Sequence, residues 1–285
     1  MHLNFAQRSF KWPGIAGARV QGGLSPYKSA EGIGDCVLLN FDNGLFAVSD
    51  SSDRRPGQSR EFLLQFDRMV STSSGIRLDR TVRALEVRGI TEKIESGCEK
   101  ILEAMRGSES CTFTGIQILR TDKGLTALVF HTGDSRLYEY APLSLKLSPL
   151  AAQNFWMIGK TVRLYQTTEF EVRPQRMFIL STDGVFNGTD EPTRQRRLSE
   201  IIHQSQVEDI PDKIMKMVVP AEGFRDDAAL VSLSPQSLKF ARIRIIMGGT
   251  TALQEREYAD RCRSNYYADA NVRIIEATKW VDHVV

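Results

Sequence analysis

Cysteine is scarce in this chain, and what there is does not suit a zinc site. The four cysteines are Cys36, Cys98, Cys111 and Cys262, and no two form a CxxC pair. That spacing excludes a zinc ribbon. Histidine is equally thin: His2, His131, His203 and His283 are scattered, with no ligand spacing. An excess of one charge is also missing, since 37 basic residues face 35 acidic ones for a net charge of +2. Nothing in that balance favours nucleic acid or an anionic membrane as partner. No segment approaches the roughly 18 apolar residues of a membrane span, and the first twenty residues contain no continuous apolar stretch of the kind a secretory signal needs. There is no internal repeat and no low-complexity tract. The expectation from these absences is a soluble protein of a reducing compartment, the cytoplasm.

What is present is ordinary globular material. Of the 285 residues, 41% are hydrophobic and 25% charged, enough for a core without disulfides or a structural metal. That length suits one large domain, or one domain with an appendage. Residues 1–30 are rich in Gly, Ser and Pro and give no clear elements. In "DCVLLNFDNGLFAVSD" two apolar runs flank Asp42-Asn43-Gly44, which predicts a hairpin because Asn-Gly supplies the positive φ angles of a tight turn. Phe62, Leu63, Phe66 and Met69 fall at helical spacing after a candidate cap at Ser59. Ile94, Cys98, Ile101, Leu102 and Met105 share one face of a second helix, with Thr91 as candidate cap and Gly107 as stop.

The run from Cys111 to Ala141 reads as three strands of an antiparallel meander, with turns at Asp122-Lys123-Gly124 and Gly133-Asp134. Cys36 and Cys111 lie in apolar, strand-like runs, which predicts buried thiols. Residues 141–175 are irregular and read as a flap near a site. Helical patterns follow near 196–204 and 208–218, and "RDDAALVSL" closes as a turn into a buried strand. Beyond residue 235 the chain alternates strand-like and helix-like stretches, "ARIRIIM" and "VRIIEA" among the former, and reads as an appendage (236–285) packed on a domain of residues 1–235. Strands, two helices, strands, two helices and a strand give an α+β class. The arrangement expected is a sandwich of largely antiparallel sheets with helices outside.

Several acids share one context. Asp35 follows Gly32-Ile33-Gly34 at the start of an apolar strand, and Asp50 ends the next one. Asp183 ends the strand Phe178-Ile179-Leu180, Asp226 stands just before Ala228-Ala229-Leu230-Val231, and Asp134 sits in a Gly-Asp-Ser-Arg turn. Any one of these is a turn acid on base rates. As a set they have a use, because strand ends are rigid platforms and hard divalent cations prefer carboxylate oxygens.

The order of these stretches resembles that of the metal-dependent protein phosphatases, the PPM or type 2C family. "LFAVSD" is similar to the strand that ends in the family's first metal aspartate, and "FTGIQIL" to the strand after its two long helices. "TGDSRLYEY" is similar to its Gly-Asp-Ser-Arg turn, the most specific match. "FILSTDGVFN" is similar to its Ser-Asp-Gly strand, and "RDDAALVSL" to its closing Asp-Asn or Asp-Asp strand. The matches fall in family order over about residues 20–235.

The resemblance implies an α-β-β-α sandwich of two mainly antiparallel sheets flanked by helices, with a two-metal centre of Mn²⁺ or Mg²⁺ at one end of the sheets. Asp50 would bridge the ions, with the Ser51 carbonyl beside it. Asp183 and Asp226 would bind one ion, Asp35 would hold metal-bound water, and Asp134 with Asp183 would take a third, weaker ion. Two cations about 4 Å apart acidify a bridging water and clamp phosphoryl oxygens for in-line attack, so no cysteine nucleophile is needed.

Three departures from the family's pattern stand out. Ser51 replaces a glycine, Ser52 stands where some members have a histidine, and the usual upstream phosphate-binding arginine is missing near Ala30, with Lys28 the nearest base. Arg54 and Arg55, with Arg60 third, are the candidates to contact substrate phosphate in its place. The leading reading is a phosphatase acting on phosphoserine or phosphothreonine in a phosphoprotein substrate. A phosphatase-fold regulatory or binding protein of weak or no activity, and a hydrolase of small phosphoesters, are the alternatives. Oligomeric state is open.

Overall fold

The structure, a computed structural model, describes residues 8–23, 32–51, 56–73, 75–185, 191–218 and 226–254. The chain begins with a hairpin of β1 (Arg8–Trp12) and β2 (Ala16–Gln21), turned at Pro13-Gly14. These two strands fall where the Gly/Ser/Pro-rich composition concealed them. Next come β3 (Gly32–Asn40) and β4 (Leu45–Ser49), joined by the Asp42-Asn43-Gly44 turn with Gly44 at φ 72°. Helices α1 (Gln58–Ser73) and α2 (Val87–Ala104) flank the short β5 (Thr81–Val82). Strands β6 (Phe113–Thr121), β7 (Gly124–Thr132), β8 (Arg136–Ala141), β9 (Lys146–Pro149), β10 (Gln166–Glu171) and β11 (Met177–Ser181) follow. Helices α3 (Glu191–His203) and α4 (Ile210–Val218) lead to β12 (Ala228–Leu233) and β13 (Arg244–Thr251).

Two sheets result. One runs β1-β2-β12-β11-β8-β9; the other runs β10-β7-β6-β4-β3-β13, with β5 pairing parallel to β6 and every other pairing antiparallel. A core of Ile33, Val37, Phe46, Val48, Ile116, Val129, Phe178, Leu180 and Val231 fills the space between the sheets. Helices α1 and α2 cover the outer face of the second sheet through Phe62, Phe66, Ile94 and Cys98. Helices α3 and α4 cover the first sheet through Leu198, Ile202, Ile214 and Met215. The α-β-β-α sandwich is therefore observed. Strands β3 and β4 are covered on both faces, which is why they read as unbroken apolar runs. Among the described residues no helix is long and apolar enough to cross a membrane.

Four local expectations need correction. The third strand of the expected meander is in the other sheet: β7 pairs with β6, whereas β8 pairs with β11. The Gly133 turn, at φ 108°, carries the chain across instead of closing a hairpin. Ser59 is inside α1 and donates its hydroxyl to the Gly34 carbonyl at 2.5 Å. Thr91 is likewise internal, since α2 starts at Val87 and the Thr91 hydroxyl donates to the Val87 carbonyl. Lastly, Arg244–Thr251, expected in the appendage, is an integral strand beside β3. The remainder of that stretch, residues 255–285, lies outside the described residues. Cys36, Cys98 and Cys111 are buried free thiols, as their apolar settings predicted for two of them. Burial pushes the Cys111 thiol up to about 12, which leaves it unreactive.

Candidate active site

Asp35 and Asp50 come from β3 and the end of β4 in one sheet, and Asp183 and Asp226 border β11 and β12 of the other. Asp35 is the fourth residue of β3, inside the strand and not at its start, and is 1% exposed. Its Oδ2 accepts a 2.5 Å hydrogen bond from Thr182 Oγ1, while its Oδ1 is buried with no hydrogen-bond partner. Thr182 follows β11, and its hydroxyl oxygen also accepts from the Ala229 amide of β12 at 2.8 Å. One hydroxyl thus ties Asp35 of the second sheet to two strands of the first.

Burial raises the Asp35 carboxyl well above its ordinary value, and the charges of Asp50 and Asp227 push it further the same way. Asp35 and Asp50 lie close enough to share a hydrogen bond when one is protonated. Asp50 follows β4 and is held by its backbone. Its amide donates to Thr112 Oγ1 at 3.0 Å, its carbonyl accepts from the Thr112 amide at 2.8 Å, and Thr112 Oγ1 is 2.6 Å from Ser135 Oγ. The last contact joins the Asp50 platform to the Gly-Asp-Ser-Arg turn.

Asp134, Asp183 and Asp226 form a second, adjoining group. Burial raises the Asp134 carboxyl, and Asp183 and Asp226 raise it further. Asp183 opens a short 3-10 turn after β11, and the chain passes so close to β12 there that a Cβ on Gly184 would lie 1.8 Å from the Asp227 carbonyl oxygen. Glycine is needed at 184 for close approach. Asp226 Oδ1 accepts from the Asp227 amide at 2.8 Å and is partly exposed.

Asp227 is the residue the sequence reading passed over. It is 3% exposed, and its Oδ1 and Oδ2 accept from the amides of Gly23 and Gly34 at 2.7 and 2.6 Å. It fixes the end of β2 and the strand carrying Asp35. Only the doubled acid in "RDDAALVSL" hinted at it, and nothing in the pattern said which aspartate faces inward.

Ser51 is buried after Asp50, with its Oγ accepting from the Ser59 amide at 3.1 Å and its carbonyl oxygen beside Gly34. Arg54 and Arg55, with Ser52, Ala30 and Lys28, lie outside the described residues. Arg60 is a buried residue, 5% exposed, whose Nη1 donates to the Gly248 carbonyl at 2.6 Å. A guanidinium held there packs inside the protein and is unsuited to reaching a substrate.

The donor set fits a hard divalent cation in its chemistry. It is all oxygen, it gathers negative charge in a half-buried place, and it leaves one buried carboxylate oxygen of Asp35 without a partner. Among the described residues no three acidic, His or Cys side chains are already gathered as a complete cage. The acids stand instead as two neighbouring groups joined through Asp226-Asp227.

Known proteins share part of this sequence and the fold. Residues 147–236, which include Asp183 and Asp226, match the family described as Stage II sporulation protein E (SpoIIE). No curated protein matches the chain by sequence. In fold, the chain is similar to the PPM Ser-Thr phosphatase MsPP from Mycobacterium smegmatis, solved with cacodylate. That likeness has a TM-score of 0.56 at 16% identity and covers 77% of this chain and 97% of that one. It is similar to the catalytic domain of the serine threonine protein phosphatase PstP, solved with two manganese ions, with a TM-score of 0.56 at 16% identity over 76% and 96% of the chains. RsbX, solved with magnesium, gives a TM-score of 0.53 at 17% identity over 80% and 100%. The resemblance to PPM, or type 2C, phosphatases therefore holds in fold over most of the chain.

Proposed function

We propose, from a chain that carries the fold of PPM phosphatases, that it hydrolyses phosphoserine or phosphothreonine in proteins with Mn²⁺ or Mg²⁺ at the aspartates described above. The observation that carries this reading is Asp35. A carboxylate buried against Asp50 and Asp227, with one oxygen unpartnered, is a costly feature that a bare scaffold has no use for.

In this reading Asp50, Asp183 and Asp226 hold the cation or cations, with the Ser51 carbonyl and Asp134 as further oxygen donors. Bound there, a divalent ion lowers the pKa of a water and offsets charge on the phosphoryl oxygens. The chain's own residues do the positioning. Thr182 and Asp227 set Asp35, whose carboxylate would orient the attacking water. Thr112 and Ser135 lock Asp50 to the Asp134 turn. Arg54 and Arg55 remain the proposed contacts to substrate phosphate, with Lys28 next.

A phosphatase-fold regulatory protein of weak activity is the second reading. It is favoured by the incomplete cage among the described residues and by Ser51 at a glycine position. One experiment separates the two. Turnover of a phosphothreonine peptide is measured with Mn²⁺, with Mg²⁺ and after chelation. Metal-dependent release of phosphate supports the enzyme, and its absence, with tight phosphopeptide binding, supports the regulator. Turnover of p-nitrophenyl phosphate without peptide turnover points to small esters.

A further inference from the structure

Asp35 lies beside a strand that comes late in the chain. Along β3 and β13 the register runs from Arg244↔Asn40 to Gly248↔Cys36, shifts, and resumes at Thr250↔Ile33 and Thr251↔Gly32. Between the two stretches, Gly34 and Asp35 of β3 stand opposite the single residue Gly249. This is a β-bulge on β3, and a bulge re-aims the side chains it carries. On its other side β3 pairs with β4 only from Cys36↔Ser49 onward. Among the described strands, β13 alone pairs with β3 at residues 32–35.

The contact is close. Gly248 has φ 79°, and a Cβ there would lie 2.0 Å from the Asp35 carbonyl oxygen. Gly249 has φ 58°, and a Cβ there would lie 2.5 Å from Arg60 Cβ. The Gly248 carbonyl in turn accepts from Arg60 Nη1, at the start of α1, next to the Ser59 hydroxyl that donates to Gly34.

We propose that β13 is a positioning element of the candidate metal centre: its Gly248-Gly249 step, clasped by Arg60, sets the bulge that aims Asp35 at Asp50. The inference rests on the metal-site reading above. It extends that site past the matched segment, which ends at residue 236, to a strand beyond it. It makes cation affinity depend on the local fit of the Gly248-Gly249 step against Asp35, not on how firmly β13 as a whole is docked.

The test measures Mn²⁺ binding to the full chain by calorimetry, with far-UV circular dichroism and melting as the check on folding. Gly248→Ala must displace either β13 or Asp35. Arg60→Met removes the clasp and keeps the bulk. Ile245→Val loosens β13 at Leu39, away from the bulge. Metal affinity is expected to fall about 10- to 100-fold in the first two and to stay at the wild-type value in the third. Arg60→Lys, which keeps a donor, is expected to recover part of the loss. Wild-type affinity in both Gly248→Ala and Arg60→Met overturns the proposal, as does an equal loss in Ile245→Val. If Gly248→Ala fails to fold, Arg60→Met decides. A wild-type protein that binds no Mn²⁺ overturns the metal-site reading itself, and this inference with it, before any variant is made.

Discussion

Asp227 shows how much one side chain can carry. It accepts from two backbone amides, Gly23 after β2 and Gly34 within β3, and at 3% exposure it is shielded from solvent. Asp227→Ala leaves both donors unmet, which costs roughly 2–6 kcal/mol at 1–3 kcal/mol for each buried group. A fall in the thermal midpoint of roughly 5–10 °C is the expected result, and an unchanged midpoint would show that the two amides find other partners. Asp183 should behave in the opposite way. Its carboxylate adds to the negative field at Asp134, so Asp183→Asn relieves repulsion in the metal-free protein. Metal-stimulated turnover should drop by at least about 100-fold while the metal-free midpoint holds or rises. Wild-type turnover in that variant removes Asp183 from the site. The sequence offered Asp35, Asp50, Asp183 and Asp226 as candidates because each lies in or beside an apolar run. It hid Asp227 and misdirected Arg60 because burial of a polar side chain is decided by what packs over it, and that comes from distant strands.

At the scale of elements, the β1–β2 hairpin is fastened to α4 by charge. Lys11 Nζ lies 2.8 Å from Asp212 Oδ2 and 2.6 Å from Asp209 Oδ1, and Arg19 Nη1 lies 3.0 Å from Asp212 Oδ1. Burial raises the Asp212 carboxyl, but the hydrogen bonds from Lys11 and Arg19 outweigh it and hold the group below its ordinary value. A depressed carboxylate stabilises the fold above the unfolded pKa, near 3.9, and that contribution is lost as pH falls through the lower folded value. Asp212→Asn is therefore expected to cost about 1–3 kcal/mol at pH 7, since Arg19 is left buried with a weaker partner. The gap between wild type and variant should close below about pH 4. Urea unfolding at the two pH values checks both the size and the sign. Element type was readable wherever periodicity was strong, as in α1, α2, β3, β4 and β6. Helix starts were not: Ser59 and Thr91 have good capping side chains, but a carbonyl at Gly34 and one at Val87 claimed them. The hairpin at residues 8–21 was missed because its strands are short and lie in a stretch rich in Gly, Ser and Pro.

At the scale of the whole molecule, the chain keeps changing sheets. It enters the first sheet with β1 and β2, the second with β3 to β7, and returns with β8 after the Gly133 turn. It crosses again for β10 and comes back for β11 and β12, and the last described strand, β13, is in the second sheet. Sequence pattern fixes which residues are apolar but not which sheet a strand joins, because both inner faces ask for the same alternation. That is why the sandwich was legible as an architecture and the β7–β8 crossing was not. The same weaving has a thermodynamic consequence. Asp35 and Asp50 come from β3 and the end of β4, whereas Asp183 and Asp226 border β11 and β12 of the opposite sheet. A cation shared by these acids would link the two layers and would bind only when both are in place. Mn²⁺ at 100 times its dissociation constant then adds about 2.7 kcal/mol to folding, and the thermal midpoint should rise by roughly 5–10 °C as a single transition. Asp50→Asn should blunt the rise. If Mn²⁺ instead splits the melting curve in two, or leaves it in place, the layers are not joined through these aspartates. The acids would then be two independent groups that meet only at Asp226-Asp227.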